Sequence, residues 1–485
     1  MLKSFPFVGG SNKEHSTIID IQRTINWYVN VDQMGKKSPQ LIAVPGIQTR
    51  NRLQVSPDAL PVRGMLAYGN FMYIIAGDKF YRMDSAEVIT EIDSFGTTIG
   101  YVSIATNGKQ VIFVDGQAGY VHPIGTTTLT PISSPNFPSE PLQVVYFGGR
   151  FAVCKGGSNK FFISALGDAL TWNDENYAFK EASDDLFAGI STISNRLLLF
   201  GTQSIEFWID AGDVTFPFRR DNNILPKFGC SATATIAQGG IGDGKTALFF
   251  LGGDSNGVGS IMMTTGGNPI TISTEALDEE IQNYENVSDA WGYAYKQDGH
   301  YFYMILFPTA NKCWCYDASV GTPEMAWHER EMIDNTRFVG QTHEFFSATG
   351  KHYVGDYRKA TLYEMSKKFY MFDTENIRCT RICRYGSDGV TRRQIREFSV
   401  DFQHGVGNNK NPGADPFAYL SISRDDGATF GSMRRAILGR MGRREVRTRW
   451  LGLGTYRSFV FKVVAYANVA RTVAGAAIDM EVLDT

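Results

Sequence analysis

From Leu197 to Asp210 the chain reads LLLFGTQSIEFWID, two short apolar runs separated by Gly201-Thr202-Gln203, with Glu206 set between Ile205 and Phe207. Runs this short, rich in aromatic and β-branched residues and broken by a Gly-containing turn, predict two antiparallel strands of a meander. The same cadence recurs at 69–83 (GNFMYIIAGDKFYRM), 107–122, 148–164, 247–263 and 298–317, each time as strand, Gly/Asn/Asp turn, strand. Between residues 61 and 370 it returns at roughly 40 to 50 residues per sheet-sized unit, the period of four-stranded propeller blades. That stretch has room for about six or seven blades.

Two places break the strand pattern. TEALDEEIQNY, Thr274 to Tyr284, puts Leu277, Ile281 and Tyr284 at helical spacing, with Thr274 as N-cap and acids at the positive end of the dipole, which predicts a helix. A second short helix is expected within 165–176, and both are expected as surface insertions. Residues 1–60 have another texture: one good strand around Trp27-Tyr28-Val29, a charged loop, and the Val44-Pro45-Gly46 turn. They read as an arm that gains order against a neighbouring surface. The expected fold class is therefore all-β: an N-terminal arm (1–60), a β-propeller (61–370) and a basic, β-sandwich-like C-terminal domain (371–485).

Composition agrees with this and narrows the setting. Fifty Gly, thirty-three Phe and twenty-two Tyr belong to a chain of strands and turns, and 485 residues suffice for two or three cores. No apolar run approaches the ~20 residues that cross a bilayer, so no membrane insertion is expected. The start, MLKSFPFVGGSNKEH, lacks the apolar stretch of a signal peptide, so synthesis and assembly are expected in the cytosol. Six cysteines fit that compartment as buried reduced thiols. Zinc would need Cys313 and Cys315 to be joined by His343 and His352, and is not expected.

Charge divides the chain. Between Arg378 and Arg457 stand sixteen Lys plus Arg against seven Asp plus Glu, a net of +9, while the whole chain carries −3 and the remainder therefore about −12. Such a split implies two surfaces with different partners. Arg434, Arg435, Arg440, Arg443 and Arg444 are interleaved with strand residues and Gly turns, without the aromatic platforms of a single-strand binder. They form a candidate interface to an acidic protein neighbour rather than a fixed nucleic-acid site.

Three motifs suggest chemistry and lose it on inspection. GGIGDGKT (Gly239 to Thr246) matches the phosphate-loop pattern, but an apolar strand follows where that loop requires a helix N-terminus. SRDDGATF matches the Asp-box at Ser423, Asp425, Gly427, Thr429 and Phe430, a structural hairpin turn found in sialidases and other β-proteins. Carboxylates such as Glu206, Asp184-Asp185 and Glu279-Glu280 could pair as in glycosidases, but no spacing brings two of them together. Glu206, Phe207 and Trp208 are read as a structural core hairpin, with no catalytic, cofactor or metal residues and no cofactor.

The order of VPGI (44–47), FFIS (161–164), LLLFGTQSIEFW (197–208), FPFRR (216–220), FGC (228–230), ISTEALDEEIQNY (272–284), DGHYFYMILFP (298–308) and the closing SISRDDGATFG, RWLGLG and FVFKVVA resembles the packaged-DNA stabilisation proteins of short-tailed bacteriophages, the tail hub or nozzle proteins. The resemblance implies a virion tail protein without enzymatic activity. It implies a homohexameric ring below the head-to-tail adaptor, attached to a tail needle, tailspikes or fibres, with double-stranded DNA passing transiently through. The alternative is a sialidase-like or glycan-binding propeller of a tail fibre. Its mark would be arginines, a tyrosine and acids clustered at the propeller axis.

Overall fold

The structure, a computed structural model, describes residues 2–483 except 17–19, 32–37, 53–59, 214, 255–256, 386–389 and 410–412. Most of the charged loop expected after Val31 lies outside the described residues.

The meander cadence resolves into seven antiparallel sheets in chain order: 62–94, 103–131, 141–179, 187–220, 229–271, 291–329 and 340–366, here blades 1 to 7. The first strands of successive blades, such as Val62–Tyr68, Ser103–Thr106 and Pro141–Phe147, pack side by side. Gly340–Phe346 of blade 7 meets Val62–Tyr68 of blade 1, so the ring closes. In blade 5 the innermost strand is split into Gly229–Cys230 and Ala237–Gly242 by a short 3-10 turn at Thr233–Thr235.

Blade 4 shows why the strands read as continuous apolar runs. Leu197, Leu199 and Trp208 face a core shared with Phe161 of blade 3. Leu198, Phe200 and Phe207 face the opposite core, shared with Leu248 and Phe250 of blade 5. Because stacked blades bury both faces, period-2 alternation is lost and only the length and the flanking turns mark a strand. The turns carry the expected chemistry. Asp298-Gly299 joins Gln297 to His300 with φ of 50° and 87°, left-handed values that Asp and Gly tolerate in a two-residue hairpin.

Beyond the propeller lie two packed sheets. One runs Trp27–Asn30, Gln40–Ala43, Val473–Val482, Arg393–Phe402, Thr448–Tyr456, with Lys3–Phe5 also on Val473–Val482. The other continues blade 6 through Trp327–Glu329 into Ile21–Ile25, Cys379–Arg384, Val460–Ala465, Phe417–Ser423 and Arg434–Ile437, making a ten-stranded sheet. Between them Phe398 stacks on Phe461 with ring centroids 4.2 Å apart, beside Phe5, Trp27 and Trp450. The joint to blade 6 is the parallel pairing of Ile25 with Glu329, reinforced by Arg23, which pairs with that buried carboxylate.

The described residues of 1–60 are therefore built into this chain's own sheets instead of forming a separate arm. Phe5, Phe7, Trp27 and Leu41 are fully withdrawn from solvent within this chain, and Trp27 Nε1 donates to Arg471 O at 2.7 Å. Gly46–Arg52 pairs with Thr361–Ser366 and becomes the fourth strand of blade 7, so the segment before the first blade locks the last. Trp27–Asn30 and Gln40–Ala43 pair with each other, but the partners of Lys3–Phe5 and Gly46–Arg52 sit more than 300 residues away in sequence, where no local pattern points to them.

The helix appears at Glu275–Gln282, with Thr274 Oγ1 accepting from Leu277 N at 3.3 Å. It is not a surface insertion alone, since Leu277 and Ile281 are buried with Ile305 and Trp314 of blade 6. The second expected helix is absent. Residues 165–176 instead turn back through an Ala165–Asp168 bridge, and the Asp168 carboxylate takes Leu170 N and Thr171 Oγ1, satisfying the backbone a helix would have used.

Candidate functional site

The axis is where a propeller enzyme would work. It holds a cavity of about 240 Å³, lined by Tyr101, Gln143, Ser191, Tyr293 and Thr342 from five blades. Among the lining residues the only arginine is Arg63 and none is Asp or Glu. Arg63 is itself buried and spent on the wall: its guanidinium donates to the carbonyls of Gly77, Thr97, Gly100 and Ile99 at 2.7–2.9 Å. Burial, partly offset by Asp115 and Asp78, pushes it down to about 10. The arginine, tyrosine and acid cluster of a sialidase-like site is not gathered here.

The zinc ligands are not assembled either. His343 Nε2 faces His352 Nδ1 at 3.0 Å, and burial drives His343 well below the usual histidine range, so the pair is neutral at pH 7. Cys313 and Cys315 point into the core, where burial raises both thiols and Arg330 lies 3.6 Å from Cys315 Sγ. Among the described residues the one group of donors close enough for a metal is Glu14, His15 and Glu279 at the surface. The phosphate-loop lookalike is a plain hairpin: Ala237–Gly242 turns at Asp243-Gly244 into Lys245–Asp254, a strand.

Glu206 lies beside Trp208 on one face of its strand, with Phe207 on the other. The carboxylate accepts from Trp208 Nε1 at 2.9 Å and from Ala182 N at 2.6 Å, so it pins the 180–185 loop to the blade. That loop holds a feature sequence reasoning passed over. Lys180 and Asp185 are both buried and pair with each other. Asp185 also accepts from Gln203 N at 2.8 Å and Ser204 Oγ at 2.9 Å. Burial pushes its carboxyl up, but Lys180, Gln203 and Ser204 outweigh that and hold it below the usual carboxylate range. Only the spacing of one lysine and one acid about an exposed turn could have hinted at it.

The Asp-box forms as a turn. Asp425 Oδ1 accepts from Ser423 Oγ at 2.6 Å and Thr429 N at 2.9 Å, and Gly427, at φ 94°, gives its N–H to Ser423 Oγ at 2.8 Å. These bonds from Ser423 and Thr429 hold the Asp425 carboxyl down at about 2. Phe430 packs on Ile21, Ile382 and Val460.

The basic residues gather on the outer end of the sandwich. Strand Arg434–Ile437 is the far edge of the ten-stranded sheet, and Thr448–Tyr456, against which it packs, is an edge of the other. Arg434 is tied to the carbonyls of Leu451 and Gly452, Arg435 lies over the Phe417 ring at 5.2 Å, and Arg440 pairs with Asp415. Arg443 and Arg444 stand exposed, and among the described residues no ion pair holds them. Met433, Ile437, Met441 and Leu451 are exposed around them.

A family model described as Bacteriophage P22 Gp10, beta-propeller, matches residues 3–370. The chain belongs to this family. It is thus a phage structural protein related to packaged-DNA stabilisation, and the match begins at the N-terminal strands that enter the sandwich and close blade 7. No curated protein sequence matches it. Solved structures similar to this P22 Gp10 family member include YCF48 bound to D1 peptide, at 11% identity, TM-score 0.39, covering 67% of this chain and 97% of that one. Another is a mitotic checkpoint complex, at 10% identity, TM-score 0.41, covering 66% and 91%. A third is the extracellular domain of the hybrid two-component system BT4673 from B. thetaiotaomicron, at 10%, TM-score 0.42, covering 83% and 47%. Scores this low carry no argument about function. The Asp-box and the basic edge lie beyond the matched residues.

Proposed function

We propose that this Gp10-family protein is a non-enzymatic tail hub, or nozzle, of the virion. Six copies form a ring below the head-to-tail adaptor, extend the DNA-exit channel, retain the packaged genome and hold a tail needle, tailspikes or fibres. The family match over residues 3–370 carries this reading. The fold supports it in two ways. A sheet that continues from blade 6 into the sandwich makes one stiff subunit, suited to a part that bears load. The axial cavity of about 240 Å³ is small beside a duplex whose major groove alone is about 12 Å wide, which favours a DNA path outside the propeller axis. A chain whose 47 Lys plus Arg are balanced by 50 Asp plus Glu, at −3 overall, suits a conduit better than a uniformly basic one, because many fixed phosphate contacts would brake sliding DNA. Counting copies in purified particles tests the proposal. Six supports it, whereas any other number overturns it.

A further inference from the structure

The basic edge of the sandwich has a counterpart elsewhere on the molecule. Blade 3 ends in strand Tyr177–Phe179, its outermost. Residues 166–186 around this strand contain six acids against one lysine, and that lysine, Lys180, is consumed inside by Asp185. Asp174, Glu175, Glu181 and Asp184 are exposed, and among the described residues no ion pair engages them. Leu170, Tyr177, Phe179 and Leu186 are exposed among them. The Lys160 ammonium of the adjoining strand lies over the Tyr177 ring at 3.3 Å, and the four unpaired acids outnumber it, so this aromatic rim of a sheet carries net negative charge. The sandwich edge is an apolar surface with unspent positive charge, also on the rim of a sheet.

Their placement matters as much as their chemistry. The sandwich grows from blade 6, and Arg434–Ile437 is the last strand of that sheet, the farthest from the ring. Blade 3 stands three positions from blade 6 in a ring of seven, about 150° round the axis. Strand order thus sets the two surfaces on different parts of the molecule, and among the described residues no ion pair joins them within one chain. Complementary patches on different parts of one molecule make a heterologous, head-to-tail contact, which closes into a ring when the rotation between copies allows.

We infer that the acidic, aromatic edge of blade 3 in one copy docks on the basic edge of the sandwich in the next, with Arg443 and Arg444 facing Asp174 and Glu175. The inference rests on the ring reading and adds which surfaces build the ring. Opposite charges steer and register the contact, and the exposed apolar side chains are what it buries.

The test exploits the fact that every copy carries both surfaces. Three full-length variants are made: Arg443→Glu/Arg444→Glu, Asp174→Arg/Glu175→Arg, and all four changes together. Each is supplied to tails assembled without the wild-type protein, and copies per particle are counted, with a melting curve to confirm folding. Each double variant should incorporate at least tenfold less, and the fourfold variant should recover most of the loss. Undiminished incorporation of the doubles, or a fourfold variant no better than the doubles, overturns the docking. Should a double variant not fold, Glu181→Arg/Asp184→Arg replaces the blade 3 pair under the same criteria. The wild-type copy number separates the two ideas: six copies with no rescue rejects this contact and keeps the ring, and any other number rejects the ring.

Discussion

Where the 180–185 loop meets blade 4, three ionised side chains are withdrawn and engaged: Lys180 holds Asp185, and Glu206 takes two N–H donors. At the outer end of the sandwich Arg443 and Arg444 stand in solvent without an acid among the described residues. Both regions are β-sheet with dense aromatic cores, so the contrast lies in what charge is for. Inside the blade it fixes a loop, and removing one partner strands the other in a medium that solvates it poorly. At the sheet rim each charge keeps its hydration until a partner arrives, and it contributes little to the fold of the isolated chain.

That contrast breaks first if the blade tolerates what it should not. Lys180→Ala leaves Asp185 buried without its cation and should cost about 3–5 kcal/mol in denaturant unfolding. Trp208→Ala empties a site shared with Phe161 and Leu199 and should cost about 3–5 kcal/mol, read as a large fall in melting temperature. An unchanged melting temperature for either would remove that residue from the account. Glu206→Gln keeps the shape but turns an amide donor toward Trp208 Nε1 or Ala182 N. The loss should be about 1–3 kcal/mol.

The pH dependence sharpens the same point. The folded carboxyl of Asp185 lies below its unfolded value of about 3.9, so its stabilisation is fully present above that pH and is lost as pH falls through the folded value. The stability gap between wild type and Asp185→Asn should stay flat from pH 8 to 6 and narrow toward pH 3. A gap that widened on acidification would contradict the pairing. The smallest effect belongs to the rim: Arg443→Ala/Arg444→Ala should change the stability of the free chain by no more than about 0.5 kcal/mol. A larger loss would mean that these arginines serve the fold.

The propeller was legible because each hairpin is written within some twenty residues, with Asp298-Gly299 and Gly201-Thr202-Gln203 marking turns between apolar runs. The seam was not, because Gly46–Arg52 finds its partner strand more than 300 residues away. The strand around Trp27 could be read in the sequence, but not that it enters the core between the sandwich sheets together with Phe5, whose strand pairs with Val473–Val482. Glu206 lies on strand Ile205–Asp210, and its two donors could not be foreseen, since Ala182 arrives from a loop that carries no motif. The segment 165–176 misled because acids and small residues suit a helix start and an Asp-capped turn alike. The basic edge was visible as composition, but its isolation at the end of a ten-stranded sheet required the topology.

The most direct measurement is a reconstruction of the intact tail in which this chain can be traced. The account predicts six copies around the DNA path, each with propeller and sandwich in the relation fixed by the blade 6 sheet, and blade 3 of every copy against the sandwich edge of the next. A ring of any other number, or duplex DNA threading the propeller axis itself, would contradict it.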